Sequence, residues 1–154
     1  MDRRASIDTG ERELVITRIF DAPRYLVFQA WTEADRVARW WGPQGFVTTY
    51  WDMDIRPGGT FRVCMRSPTG AEHWKQGVYR EIVEPERLVF SFAWEDANGK
   101  PGHETLVTVT FLERGNKTEL TLRQGVFETV AARDDHYTGW ASTLERFAEY
   151  LTTL

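Results

Sequence analysis

A chain of 154 residues has the size of a single domain and can bury one hydrophobic core without disulfide or metal staples. Its formal charge of −4, with only Lys75, Lys100 and Lys117 as lysines and no basic block, argues against nucleic acid as a partner. The single cysteine, Cys64, excludes a disulfide framework and a thiolate zinc cluster, and no signal segment or bilayer-length apolar run occurs, so a soluble cytoplasmic protein without membrane insertion is expected.

Residues 1–11 are polar and read as a flexible N-terminus, leaving one domain over residues 12–154. The β-branched, partly alternating stretch 13–20 predicts a first strand. Asp21-Ala22-Pro23 ends it and opens a short helix over 24–31, with Asp21 suited to the N-cap and Pro23 to the first turn. Thr32-Glu33-Ala34-Asp35 reads as a variant capping box for a second short helix, which carries Val37, Trp40 and Trp41 and stops at Gly42-Pro43. From Phe46 onward the apolar period becomes two. Candidate strands cover 46–55, 59–66, 72–83, 87–94, 104–112 and 117–124, separated by short turns rich in Gly, Pro and Asn. Connections this short predict antiparallel pairing of consecutive strands, a meander. Residues 130–154 read as one long helix, with Trp140, Leu144, Phe147 and Leu151 in a single stripe. Gly139 lies inside that helix, where glycine is unfavourable, and suggests the close approach of a neighbour. The expected fold class is α+β: a seven-stranded curved antiparallel sheet, two short helices after the first strand, and a long C-terminal helix covering the sheet.

Three runs carry a family likeness: Trp40-Trp41-Gly42-Pro43, Asp54-Ile55-Arg56-Pro57-Gly58-Gly59, and the stretch from Gly77-Val78-Tyr79-Arg80 to Glu86-Arg87-Leu88. Val107-Thr108-Val109-Thr110-Phe111, Thr118-Glu119-Leu120-Thr121-Leu122 and Gly139-Trp140 with Leu144 fit the same pattern. Over roughly residues 13–152 the chain resembles the activator-of-heat-shock-protein-ATPase-homologue-like family of the START-like (SRPBCC) superfamily. The resemblance implies the helix-grip fold of the birch-pollen-allergen type, with a hydrophobic cavity between sheet and long helix. Superfamily members bind lipids, sterols, polyketides or plant hormones there, and some are enzymes. The eukaryotic namesake stimulates a chaperone ATPase, but with a separate N-terminal domain that makes much of the contact. This chain shows no such domain, so chaperone activation is not expected, and a chaperone partner is the weakest of three readings.

No catalytic motif stands out. His103-Glu104 begins a zincin-like run that fails at Val107, and no Gly-x-Ser-x-Gly elbow surrounds Ser6, Ser67, Ser91 or Ser142. Gly58-Gly59 read as a hairpin turn, and His73, His103 and His136 lack ligand spacing, so no catalytic residue, metal or cofactor is assigned. Asp52, Asp54 and Arg56 share one side of a strand and read as a solvated or salt-bridged face. Asp134-Asp135 are explained by the dipole of the last helix.

The informative feature is the aromatic content, 14% with seven tryptophans, which means a large core, a lined cavity, or both. On strand 87–94, Leu88, Phe90, Phe92 and Trp94 point one way, toward the long helix, and Phe61, Val63, Met65, Val107, Val109 and Phe111 extend that surface. The candidate pocket takes Trp41 and Phe46 as rim and Phe61, Met65, Tyr79, Phe90, Phe92, Trp94 and Val109 from the sheet. The helix contributes His136, Trp140 and Leu144. The expected function is binding of a small apolar or amphipathic molecule, as carrier, sensor or sequestering factor, by a monomer or homodimer. The alternative is an enzyme acting on such a molecule, with His136 or Tyr79 moving a proton.

Overall fold

The computed structural model describes residues 10–154, so most of the expected flexible segment, residues 1–9, lies outside the described residues. Period-two alternation builds β1 (Leu14–Phe20), which buries Leu14, Ile16 and Phe20 and turns Val15 and Ile19 outward. Two short helices follow, α1 (Arg24–Thr32) and α2 (Ala34–Trp40). Then come β2 (Val47–Met53), β3 (Thr60–Arg66), β4 (Glu72–Val83), β5 (Arg87–Trp94), β6 (Thr105–Arg114), β7 (Lys117–Gly125) and the long α3 (Val130–Leu151).

The seven strands form one curved sheet in the order β1-β7-β6-β5-β4-β3-β2, and every neighbouring pair is antiparallel. From β2 to β7 the pairing follows the short turns. The β1–β7 pair joins the two ends of the domain, from Leu14 opposite Gln124 to Phe20 opposite Thr118. At Gly77 a Cβ would lie 1.9 Å from the Ser91 carbonyl oxygen and 2.5 Å from the Phe61 ring, so only glycine lets β4 pass there.

The helix ends differ from the sequence reading. The N-cap of α1 is Pro23, with no side-chain hydrogen bond; the helix starts only after it, which leaves Asp21 too far back to reach an orphan N–H. The capping box before α2 does not form. Thr32 completes α1, its hydroxyl donating to the Phe28 carbonyl at 2.8 Å, and Glu33 takes Arg36 at 2.7 Å instead. For α3, Thr129 is the cap and accepts from the Ala132 N–H at 3.0 Å. Asp134 and Asp135 lie beyond that first turn, so the dipole account gives way: Asp134 pairs with Arg133, and Asp135 faces the cavity described below.

The core lies between the inner face of the sheet and the three helices. Phe20, Leu120, Leu122, Leu144 and Phe147 are buried in it, together with Trp40, whose indole donates to the Ala30 carbonyl at 3.0 Å. Cys64 is a buried, unpaired strand residue. Among the described residues no helix is long and apolar enough to cross a membrane.

Candidate ligand-binding site

The space under α3 is filled at one end and hollow at the other. At the filled end, Phe147 packs edge-on against Phe20 and Trp40, with centroids 5.1 and 4.7 Å away, and Trp40 lies 4.6 Å from Trp31. At the hollow end a cavity of about 510 Å³ opens, within the range of small-molecule sites. The loop after α2 supplies Trp41, Gly42, Pro43 and Phe46. The sheet supplies Met65, His73, Lys75, Phe92 and Trp94. From α3 come Ala132, Asp135, His136, Gly139, Trp140 and Thr143.

Trp140 stands between the two ends. Its ring lies nearly parallel to those of Trp31 and Trp41, 6.0 and 6.5 Å away. Its indole donates to Gln124 Oε1 at 2.7 Å, and Gln124, itself buried, donates on to Thr105 Oγ1 at 2.9 Å. This buried relay fixes the wall residue to β7 and β6. Nearer the mouth, the half-exposed Trp94 donates its indole N–H to His136 Nε2 at 3.0 Å. Indole can only donate, so Nε2 must be unprotonated and the imidazole neutral. Burial pushes His136 down to about 4; Asp135 opposes this shift and Lys75 adds to it.

Lys75 is the residue that the sequence reading passed over. It is 2% exposed, its Nζ lies 3.8 Å from the centre of the Trp41 ring, and it donates to Met65 Sδ at 3.8 Å. Burial, reinforced by the nearby Arg146, holds its amine well below the ordinary lysine range. A signal for it was available: with Tyr79 facing in, period two along β4 also turns Gly77, Lys75 and His73 inward. Trp74 therefore faces out, where the Arg62 guanidinium lies 4.0 Å over its ring.

Of the residues expected to line a pocket, Trp41, Phe46, Met65, Phe92, Trp94, His136 and Trp140 come together around the cavity. Phe61, Val109 and Leu144 belong to the closed core. Tyr79 and Phe90 border a separate void of about 10 Å³ beside Trp31 and Trp40, too small for a ligand. Burial raises the Tyr79 phenol above its ordinary range, and the structure does not bring it to the cavity that holds His136. Gly139 corrects the close-approach reading: a Cβ there would meet nothing within 4 Å, because the residue borders empty space.

Outside the cavity the charged clusters have plain structural roles. Arg62 grips Glu95 with two hydrogen bonds of 2.7 and 2.9 Å and, with Gln76, holds the carboxyl below its usual range. Arg56 pairs with Asp54 at 2.9 Å in the open. Among the described residues no three His, Cys, Asp or Glu side chains form a group that could hold a metal.

The fold recurs in solved structures. The AHSA1 protein of Silicibacter pomeroyi superposes with a TM-score of 0.84 at 22% identity, over 92% of this chain and 98% of that one. An Arthrobacter aurescens protein gives 0.85 at 23% identity, over 95% and 89%. Protein NE0264 of Nitrosomonas europaea gives 0.79 at 23%, over 94% and 96%. At this level of identity the likeness speaks for the fold. No curated protein matches the chain. The family model described as activator of Hsp90 ATPase homolog 1-like protein matches residues 21–152. On that match, which covers most of its length, the chain belongs to the activator of Hsp90 ATPase homolog 1-like family.

Proposed function

We propose that this domain binds one small hydrophobic or amphipathic molecule in the cavity under α3, acting as a carrier, sensor or sequestering factor. The observation that carries the reading is the contrast under one helix. The same aromatic residue types pack to core density at one end and leave about 510 Å³ at the other. The wall is aromatic, with a few fixed polar groups, the usual composition of a small-molecule site. Family and fold support a ligand-binding domain in general terms. The buried, unpaired Cys64 is in keeping with a cytoplasmic setting.

A ligand of about 20 heavy atoms at about −0.3 kcal/mol per atom would bind with about −6 kcal/mol, a dissociation constant of tens of micromolar. Titration with apolar acids and aromatics of that size is expected to change tryptophan fluorescence saturably in this range, since Trp41, Trp94 and Trp140 all line the cavity. Native mass spectrometry of the purified protein is expected to show a retained small molecule. A broad panel with no saturable response would contradict the reading.

One observation favours a second reading, an enzyme acting on the same kind of molecule. Lys75 faces the cavity with its amine held well below the ordinary lysine range, the direction that suits proton exchange near neutral pH, and His136 faces the same space as a neutral imidazole that can accept a proton. Turnover of a bound ligand, lost in His136→Asn, would decide for it.

A further inference from the structure

We propose that the cavity selects an organic acid, an apolar or aromatic body bearing one carboxylate, and that Lys75 receives the carboxylate at the sheet wall. The inference rests on the binding reading above and names the head group.

Lys75 sits where a binding group would have to sit. It lines the cavity while remaining 2% exposed, so its amine is reached through the cavity. Its near neighbours are an aromatic face and a thioether, both 3.8 Å away. Neither meets the demand of an ammonium for three oxygen acceptors. Among the described residues the ion pairs involve other groups, and none includes Lys75.

The surroundings reinforce this polarity. Across the cavity wall Arg146 of α3 donates to the Gly42 and Pro43 carbonyls at 3.3 and 3.4 Å, with Glu149 as its electrostatic partner. His136, also on α3, is kept neutral by burial and accepts from the Trp94 indole, and Asp135 beside it is the acid of the cavity lining. His73 shares the inward face of β4 with Lys75. Among the described residues Lys75 is thus the one amine that lines the cavity, Arg146 stands behind the wall, and Asp135 on the opposite helix is the one carboxylate of the lining.

Burying this amine without a counter-ion costs either an unpaired charge or the loss of its proton, and methionine would occupy the same volume without that cost. An occupant that brings a carboxylate removes the deficit through charge-assisted hydrogen bonds in a low-dielectric site. Its body would lie against Trp41, Phe92 and Trp140. A neutral ligand of the same shape leaves Lys75 as it was.

The test compares three probes by calorimetry near neutral pH: 2-naphthoic acid, 2-naphthamide and 2-naphthalenemethanol, with the natural chain and with Lys75→Met. In the natural chain the acid is expected to bind about tenfold or more tighter than the amide, the scale of a charge-assisted hydrogen bond. In Lys75→Met that preference should disappear while the amide keeps its affinity, and the thermal unfolding midpoint of the free protein should rise. The amide or alcohol binding as well as the acid in the natural chain would overturn the proposal and leave the binding reading intact. So would an acid preference that survives in Lys75→Met. If Lys75→Met does not fold, the acid-to-amide ratio of the natural chain decides alone. Failure of all three probes to bind would count against the binding reading and this inference together.

Discussion

The two ends of the space beneath α3 are built from the same kinds of residue and do opposite things. Around Phe147, the rings of Phe20, Trp31 and Trp40 lie 4.7–5.9 Å away at steep angles and leave no room. About two to three helical turns toward the N-terminus, Trp140, Gly139 and His136 face a hollow bounded by Trp41, Phe92 and Trp94. The aromatic residues do not make the difference. At the hollow end α3 presents the small Ala132, Gly139 and Thr143 beside Trp140, and the sheet supplies Met65 and Lys75 along with the rings of Phe92 and Trp94, which leaves the space between them unfilled. A cavity here is a matter of what is missing opposite the tryptophans.

This contrast predicts a split among aromatic truncations, the largest effect expected. Phe147→Ala and Trp40→Ala should each cost about 3–5 kcal/mol in denaturant unfolding, as full core losses. Trp94→Ala, half-exposed at the mouth, should cost about 1 kcal/mol or less. Trp140→Ala should behave as a core substitution although it lines the cavity, because it is buried and its loss strands the buried Gln124 carbonyl. Equal costs for Trp94→Ala and Phe147→Ala would erase the distinction between the two ends.

The pH response sharpens the comparison, since His136 belongs to the hollow end. Its value in the folded protein, about 4, lies below the ordinary 6.5, so the unfolded chain binds the proton more readily. The stability tied to neutral His136 is fully present above pH 6.5 and is lost as the pH falls toward 4. From the size of the shift, the loss should reach roughly 3 kcal/mol. In His136→Leu that part of the acid destabilisation should be absent. Parallel stability profiles for the two proteins between pH 7 and 4 would refute the assignment.

The smallest effect concerns Gly139. Alanine there adds a Cβ that meets nothing within 4 Å and should stabilise α3 by about 0.5–1 kcal/mol through helix propensity alone. A loss of stability would mean that the space beside Gly139 is already filled.

Much of the fold was legible in the sequence because its signals are local. Period-two runs and short turns announced β2 to β7, and the stripe from Trp140 to Leu151 announced α3. The pairing of β1 with β7 had no such signal, since it joins segments about a hundred residues apart. The helix caps at Asp21 and Thr32 were misread because a cap depends on the residue at which the helix starts, and Pro23 and Glu33 decided that. At the site, the aromatic wall could be read from alternation. What alternation could not tell is which aromatic residues would be packed on both sides: Phe90 and Tyr79 went to the core and Phe92 to the cavity, although Phe90 and Phe92 are two residues apart on one strand. Lys75 was within reach of period two, but a lysine between Trp74 and Gln76 reads as surface until the strand register is known.

The central claim is that the hollow end is a binding site, and filling it from Gly139 tests that most directly. Gly139→Leu places an apolar side chain where the added Cβ has no neighbour within 4 Å. The account predicts that calorimetric binding of an apolar or amphipathic ligand is abolished, or weakened about tenfold or more, while the unfolding midpoint stays level or rises. Undiminished binding in this variant would place the ligand elsewhere, and a core-type loss of stability would show that no such space exists.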